Sequence, residues 1–384
     1  MRPPVTPPTP DVLTRLTAEL AEQAGALDKK GDFPHDNLAR LQQLGWLSLA
    51  CHDDTDLATL QRVISAIAQG EPSTALIVCM QYLHHLRLAD NDSWPSALRQ
   101  QVTESAREKG ALINSLRVEP ELGSPARGGL PQTVATRTPQ GWRINGHKIY
   151  TTGIEGLSWL ALWARSDDPT PQVGVWLVPR ESEGIRVVKS WDHIGMRASG
   201  SHEVILTDVR VPLENAVDTF AFDQPPTANA EQTRLFANRH TALLAAIYDG
   251  IARAATQWLI GWLRHRVPGS LGHPLATLPR VQESVGQIDE WLLVNQSLLR
   301  QAAALALTTE QANLAKVTIT QHAVQVVEKA LSLTGNHGLT RDNPLERHYR
   351  NVLCGRVHTP QQDSAWIAAG RQSLTQQDYH EKTL

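Results

Sequence analysis

The apolar spacing changes period twice along this chain, and that double change limits the architecture more than any single residue does. From Asp11 to about Lys109 apolar residues recur at helical intervals: Leu13, Leu16 and Leu20, then Leu38, Leu41 and Leu44, where Gly45 stops the helix. A third helix is expected after Pro72, capped by Ser73-Thr74 and carrying Leu76, Met80, Leu83 and Leu86. Between about Ala111 and Phe222 the period falls to two. Short apolar runs (Trp159 to Trp163, Val173 to Val178, Ile185 to Val188, His202 to Val211) are divided by Gly, Pro, Asp and Ser, the signal of a β-barrel or sandwich. Phe222-Asp223-Gln224-Pro225-Pro226-Thr227 reads as a linker. Helices return from about Gln232. Leu244, Ile247, Ile251, Ala255, Trp258 and Trp262 form one stripe; Val281, Val285, Ile288 and Leu292 a second; Leu314, Val317, Val324, Val327 and Leu331 a third. Stripes this wide are buried on neighbours, as in a four-helix bundle. The expected class is α+β: a proline-rich tail over 1–10, a helical N-terminal domain over 11–110, a middle β domain over 111–224 and a C-terminal helical bundle over 232–384.

Within the β region, Gly141-Trp142-Arg143-Ile144-Asn145-Gly146-His147-Lys148-Ile149-Tyr150-Thr151-Thr152-Gly153 reads as two strands joined at Asn145-Gly146, a pair suited to a tight hairpin turn. The second strand ends in hydroxyls and backbone amides, where a polar ring system can dock. Before it stands Arg117-Val118-Glu119-Pro120-Glu121-Leu122-Gly123-Ser124. After it come Ile194-Gly195-Met196-Arg197-Ala198-Ser199-Gly200-Ser201 and Thr207-Asp208-Val209-Arg210-Val211-Pro212. These blocks, in this order and from about Leu20 to the end of the chain, resemble the acyl-CoA dehydrogenase superfamily of flavoproteins. The resemblance implies that Val118, Ser124, Tyr150, Thr151 and Thr152 hold a flavin ring. It implies FAD as the default cofactor, with FMN or a diffusible reduced flavin as the alternative. Arg266, with Gly335 and Gly338 of Thr334-Gly335-Asn336-His337-Gly338, are the candidates for its nucleotide half, where backbone amides can receive a pyrophosphate. Gln361 is a further cofactor candidate.

Composition excludes other classes. Lys+Arg of 36 against Asp+Glu of 39 gives a net charge of −3, with no nucleic-acid or membrane signature. No apolar run approaches the ~18 residues that span a bilayer. Cys51, Cys79 and Cys354 are odd in number and lack metal-type spacing, and a reducing cytoplasm is the expected location. His265 and His273 with His193 or His202 show no close ligand spacing, so no metal is expected. Eleven tryptophans are many for this length. Trp258, Trp262 and Trp291 suit helix packing, while Trp159, Trp163 and Trp191 are candidates for a flavin pocket.

A dehydrogenase of the resembled family removes an α-proton from a thioester and passes a β-hydride to the flavin. The base in most members is a glutamate in the loop before the last helix, about nine residues after an Arg-Asp pair. Here Arg350-Asn351 leads to Thr359 at that place, with His358 beside it. A minority carries the base in the first helix of the bundle, and the matching Asn238-Arg239-His240-Thr241 has no carboxylate either. Threonine is no base near neutral pH, whereas imidazole is. His358 is therefore the leading catalytic candidate, joined by His84 or His85 from a helix that borders the family's substrate cavity.

Flavin monooxygenases of the same fold use histidines near the ring, and the chain resembles that branch. Two enzyme readings follow: an oxygen-using, reduced-flavin monooxygenase of a small organic substrate, or an atypical acyl-CoA dehydrogenase with His358 as base. A flavin-free scaffold is the third. The resemblance also implies a homodimer or homotetramer, and a flavin reductase or electron-transfer flavoprotein as partner. Arg117 stands where the family has an apolar residue.

Overall fold

A computed structural model describes residues 4–122, 129–227 and 229–375. The N-terminal part holds α1 (Pro10–Lys30), α2 (His35–Gln43), α3 (Leu57–Gly70), α4 (Pro72–Ala89) and α5 (Ser96–Lys109). α3 was not expected. It starts at Asp56, whose carboxylate accepts from the Thr59 amide at 2.7 Å, and buries Leu60, Val63, Ile64 and Ile67. The cap of α4 is Glu71 rather than Ser73-Thr74: its carboxylate accepts from both of those amides, at 3.0 and 2.6 Å. α4 is buried on most sides and therefore lacks the one-sided stripe of a surface helix.

The middle of the chain forms β1 (Leu112–Leu116), β2 (Val134–Thr138), β3 (Gly141–Lys148), β4 (Leu157–Ser166), β5 (Gln172–Pro179), β6 (Ile185–Val188), β7 (Glu203–Val211) and β8 (Ala216–Ala221). The sheet order is β6-β7-β3-β2-β4-β5-β8, with β1 also paired to β4. β4 carries β1 along its first half and touches β2 only at its end, so the sheet divides there into two halves. Trp142 of β3 meets Trp176 of β5 edge to face at 5.5 Å, which joins those halves through their buried faces.

The expected hairpin at Asn145-Gly146 is not a turn. Those residues lie inside β3 at a bulge against β7, and the actual β2–β3 turn precedes Gly141. Asn145 uses its carbonyl to accept from the Asp208 amide at 2.9 Å. Gly146 is required by contact rather than by turn geometry, since a side chain there would lie 2.4 Å from Thr133 Oγ1.

One buried ion pair ties these strands together. Lys148, the last residue of β3, donates to Glu119 at 2.7 Å and to the Trp163 carbonyl of β4 at 2.6 Å. Glu119 also accepts from the Thr133 amide, the Thr133 hydroxyl and the Gln132 amide. Burial pushes the Glu119 carboxyl up, but these donors more than reverse it and hold it below the usual range. Burial also pulls Lys148 down to about 8.

The C-terminal part comprises α6 (Ala230–His240), a π-helical turn (Thr241–Ala245), α7 (Ala246–His265), α8 (Pro279–Ala303), α9 (Thr309–Thr334), α10 (Asn336–Leu339), α11 (Leu345–Leu353) and α12 (Gln362–Thr375). The expected stripe Leu244, Ile247, Ile251 and Ala255 is buried in one core with Ile288, Ile319, Val324 and Val327. Trp258 and Trp262 stack on each other at 6.3 Å on the rim of that core, in a helix-packing role. No described helix is long and apolar enough to cross a membrane.

Glu119→Leu should destabilise the fold by roughly 3–5 kcal/mol, because it strands the Lys148 ammonium in the interior. The double variant Glu119→Leu, Lys148→Met should lose clearly less. Urea melts of the two variants check this, and equal losses would mean that the pair's charges do not govern its contribution.

Candidate active site

Two walls carry the predicted site residues. The first is the end of β3. Tyr150 leaves the strand with φ of 57° and an exposed ring, set edge-on to Trp191, which stacks on His193 at 3.6 Å. The Thr151 hydroxyl donates to the His202 carbonyl. Thr152 places its hydroxyl 2.9 Å from Ser201, itself 2.7 Å from Ser199. Asn114 of β1 donates to the Thr152 carbonyl at 2.9 Å, and the Val118 carbonyl accepts from Ile149 at 3.0 Å. The three sequence blocks therefore converge, as their order suggests. The third is pinned from behind: Asn351 accepts from the Met196 amide at 2.8 Å, and Arg350 bonds the Ile194 carbonyl while pairing with Asp28 and Glu346. Arg350-Asn351 is thus a junction of α1, α11 and the 194–196 loop. Ser124 lies outside the described residues.

The second wall is the loop after α11. His358 Nδ1 is bonded to the Tyr248 hydroxyl of α7. Burial holds that phenol well above its usual pKa, so it stays neutral, and the His358 tautomer sets which of the two donates. Lys316 of α9 donates to the carbonyls of Gly355, His358 and Pro360 at 3.0, 2.6 and 3.1 Å and so clamps the loop. Gly355 allows the close approach: a side chain there would lie 3.0 Å from the Tyr248 ring. His240, at the end of α6, belongs to the same group. Burial and then the Lys316 charge pull His240 to about 4, with a Thr359 backbone contact acting the other way. Burial, then Lys316 and His240, pull His358 to about 3. No carboxylate contributes to the electrostatics of either ring among the described residues. The π-helical turn that follows His240 is a local irregularity of the kind often found at functional sites.

His240, Tyr248 and Lys316 were not singled out from the sequence. A signal for Lys316 existed: it falls on the buried face of α9 with Ala312, Ile319 and Ala323, where a lysine needs a reason.

His84 and His85 separate. His84 lies 3.0 Å from the Ser115 hydroxyl of β1; burial, then the charges of Arg87, His85 and Arg117, pull it to about 3. His85 is buried, its Nε2 has no hydrogen-bond partner among the described residues, and burial followed by the Arg107 charge pulls it to about 4. No hydrogen bond joins His84 to His358 among the described residues.

The nucleotide-half candidates lie at the ends of α7 and α9 and in α10. Arg266 is exposed at the end of α7. Gly338 is a packing glycine, since a side chain there would lie 2.1 Å from Thr334 Oγ1. Gln361 bonds back to the Val357 carbonyl at 3.2 Å within its own loop. A groove of about 1580 Å³ runs between α1, α3, α7 and α8 past Gln61, Arg253, Trp258 and Arg347, and none of the predicted site residues lines it. It is wide open to solvent, and the converging polar groups are elsewhere. Among the described residues no three His, Cys, Asp or Glu side chains gather to hold a metal ion.

Residues 117–209 match the family model for the acyl-CoA dehydrogenase middle domain, and residues 242–362 match the one for the acyl-CoA dehydrogenase C-terminal domain. The chain belongs to the acyl-CoA dehydrogenase family of flavin-dependent oxidoreductases. It is 29% identical to the putative acyl-CoA dehydrogenase YdbM of Bacillus subtilis, covering 92% of this chain and 93% of that one. It is 26% identical to L-evernosamine nitrososynthase of Micromonospora, covering 91% and 84%. The solved structure of FMN-bound TdsC from Paenibacillus sp. A11-2 has the same fold, with a TM-score of 0.80, 18% identity and coverage of 94% and 96%.

His84, His85, His240, His348 and His358 are all held neutral in the fold, below the ordinary value of 6.5. A depressed histidine binds its proton more readily in the unfolded chain. Its contribution is complete above about 6.5 and is lost as pH falls toward the folded value, by up to about 1.4 kcal/mol per unit for each ring. Thermal melts should therefore drop steeply between neutral pH and about pH 5, less steeply in His240→Asn. An unchanged slope in that variant would mean that the ring is not held neutral.

Proposed function

We propose that this protein is an oxygen-using flavin monooxygenase acting on a small organic substrate. One observation carries the reading: the place beside the family's base position is held by His358, whose ring the fold keeps neutral. Its Nδ1 is bonded to Tyr248, and burial, then the Lys316 charge, oppose its protonation. Such a ring donates a hydrogen bond to an electron-rich oxygen and is a poor acceptor of an α-proton.

The residues of the first wall fit a flavin. The Thr152 and Ser201 hydroxyls offer hydrogen bonds to a ring edge, and the exposed Tyr150–Trp191 pair offers flat aromatic surface. Reduced flavin, when bound, supplies the two electrons that cleave dioxygen, one atom going to the substrate and the other leaving as water. The chain's own residues do the rest. Tyr248 orients the His358 ring through Nδ1, and Lys316 fixes the loop. His84, beside Ser115 of β1, is a second neutral imidazole for proton handling. A nitrososynthase and an FMN-bound protein among the similar proteins support this branch. FAD is the default cofactor, and the FMN-bound protein among the similar structures supports FMN, or reduced flavin delivered by a reductase, as the alternative. Exposed Trp366 and Ile367 of α12 support assembly as a homodimer or homotetramer.

The second reading is an atypical acyl-CoA dehydrogenase with His358 as base and an electron-transfer flavoprotein as acceptor, and the YdbM relationship favours it. A flavin-free scaffold is opposed by the exposed Tyr150 and by the Thr152–Ser201 hydroxyls at the strand end.

Rapid mixing of the chemically reduced, flavin-loaded protein with oxygen should give a transient absorbance unlike either oxidised or reduced flavin. Featureless reoxidation, together with bleaching of oxidised flavin by an acyl-CoA, would overturn the proposal in favour of the dehydrogenase. His358→Ala should lower turnover by roughly 10²-fold or more while flavin affinity stays within about twofold. Unchanged turnover would remove His358 from the mechanism.

A further inference from the structure

We infer that Arg117 is a recognition group for an oxyanion, a carboxylate or phosphate, carried by the substrate; the inference rests on the flavin-site reading above and names its substrate class. Arg117 is the first residue after β1. Leu116 of β1 is in register with Leu162 of β4, so the next residue along each strand stands side by side, and the Arg117 guanidinium lies 4.5 Å above the Trp163 ring. Stacking occupies the face of the guanidinium and leaves its N–H edge for an acceptor.

The charges around it are otherwise balanced. Arg87 pairs with Asp218 at 2.9 Å, and Lys148 pairs with Glu119 at 2.7 Å. Arg117 alone of these cations has neither an ion-pair partner nor a hydrogen-bond acceptor among the described residues. It is half-buried, and burial, then the Arg87 charge, pull it to about 10, with the Asp218 charge only partly compensating. A desolvated cation without a partner is costly, and a planar fork of N–H groups suits two oxygens of one anion.

Strand alternation says which side that anion would occupy. Side chains two apart share a face. Asn114 reaches the Thr152 carbonyl, and Val118 continues its face. Ser115 and Arg117 share the other face, where Ser115 meets His84 of α4 and where the Arg117 charge is felt by the His84 ring. Arg117 thus belongs to the α4 side, next to a candidate proton-handling histidine, rather than to the Thr152 hydroxyl.

The test is calorimetric titration of the flavin-loaded protein with benzoate, inorganic phosphate and neutral benzamide. Benzoate or phosphate should bind at least about tenfold more tightly than benzamide, and the tighter of the two separates a carboxylate from a phosphate ligand. Arg117→Leu should lose about tenfold or more of that affinity with flavin affinity unchanged, and Arg117→Lys should recover part of it. Should Arg117→Leu fail to fold, Trp163→Leu keeps the charge, removes the stacking surface and should weaken oxyanion binding several-fold. Equal binding of benzoate, phosphate and benzamide, full oxyanion affinity in both Arg117→Leu and Trp163→Leu, or loss of flavin rather than oxyanion affinity in Arg117→Leu would each overturn the inference. The flavin reading fails separately: a wild-type protein that takes up no flavin, yet binds benzoate through Arg117, loses that reading and keeps the oxyanion site.

Discussion

The Glu119–Lys148 pair is the constraint on which the first wall depends. It joins the segment after β1 to the end of β3, and through the Trp163 carbonyl to β4. Those are the places from which Arg117, Val118, Tyr150 and Thr152 project. Two charges buried this completely are kept only when every polar atom around them is used, and Glu119 accepts from Thr133 and Gln132 as well. The Glu-Pro block thus acts by architecture: its carboxylate faces inward and fixes the strand end.

The broad architecture was legible because hydrophobic period reports burial directly. Helix and strand repeats leave different traces, and the stripes of α7, α8 and α9 lie in or against the core where their spacing put them, apart from Leu314 and Val317 of α9. The errors were local and had tertiary causes. Asn145-Gly146 has turn chemistry, yet its glycine answers to Thr133 on the neighbouring strand and its asparagine to a β7 amide. α3 was overlooked although Leu60, Val63, Ile64 and Ile67 carry its repeat. Adjacent histidines on a helix point in different directions, about 100° apart, so His84 and His85 were never going to share one site.

Of the site, the sequence revealed positions but not partners. His358 stood out because it adjoins a missing glutamate. What it does depends on Tyr248, 110 residues away, and on Lys316, 42 residues away, and neither distance has a sequence signature. His240 shows the same limit. It was noted for lacking a carboxylate, and only the fold sets it in the field of Lys316 beside His358.

Lys316 bears on the choice between the two enzyme readings. Dehydrogenation needs a group that accepts a proton at an apolar carbon, and such a base works best with a pKa near the operating pH. Burial beside an ammonium that clamps its own loop moves His358 the opposite way, to about 3. Lys316 spends its N–H groups on three backbone carbonyls of that loop. The loop thereby gains rigidity and loses basicity together. Chemistry that requires a fixed, neutral hydrogen-bond donor gains from both changes, whereas chemistry that requires a base gains from neither.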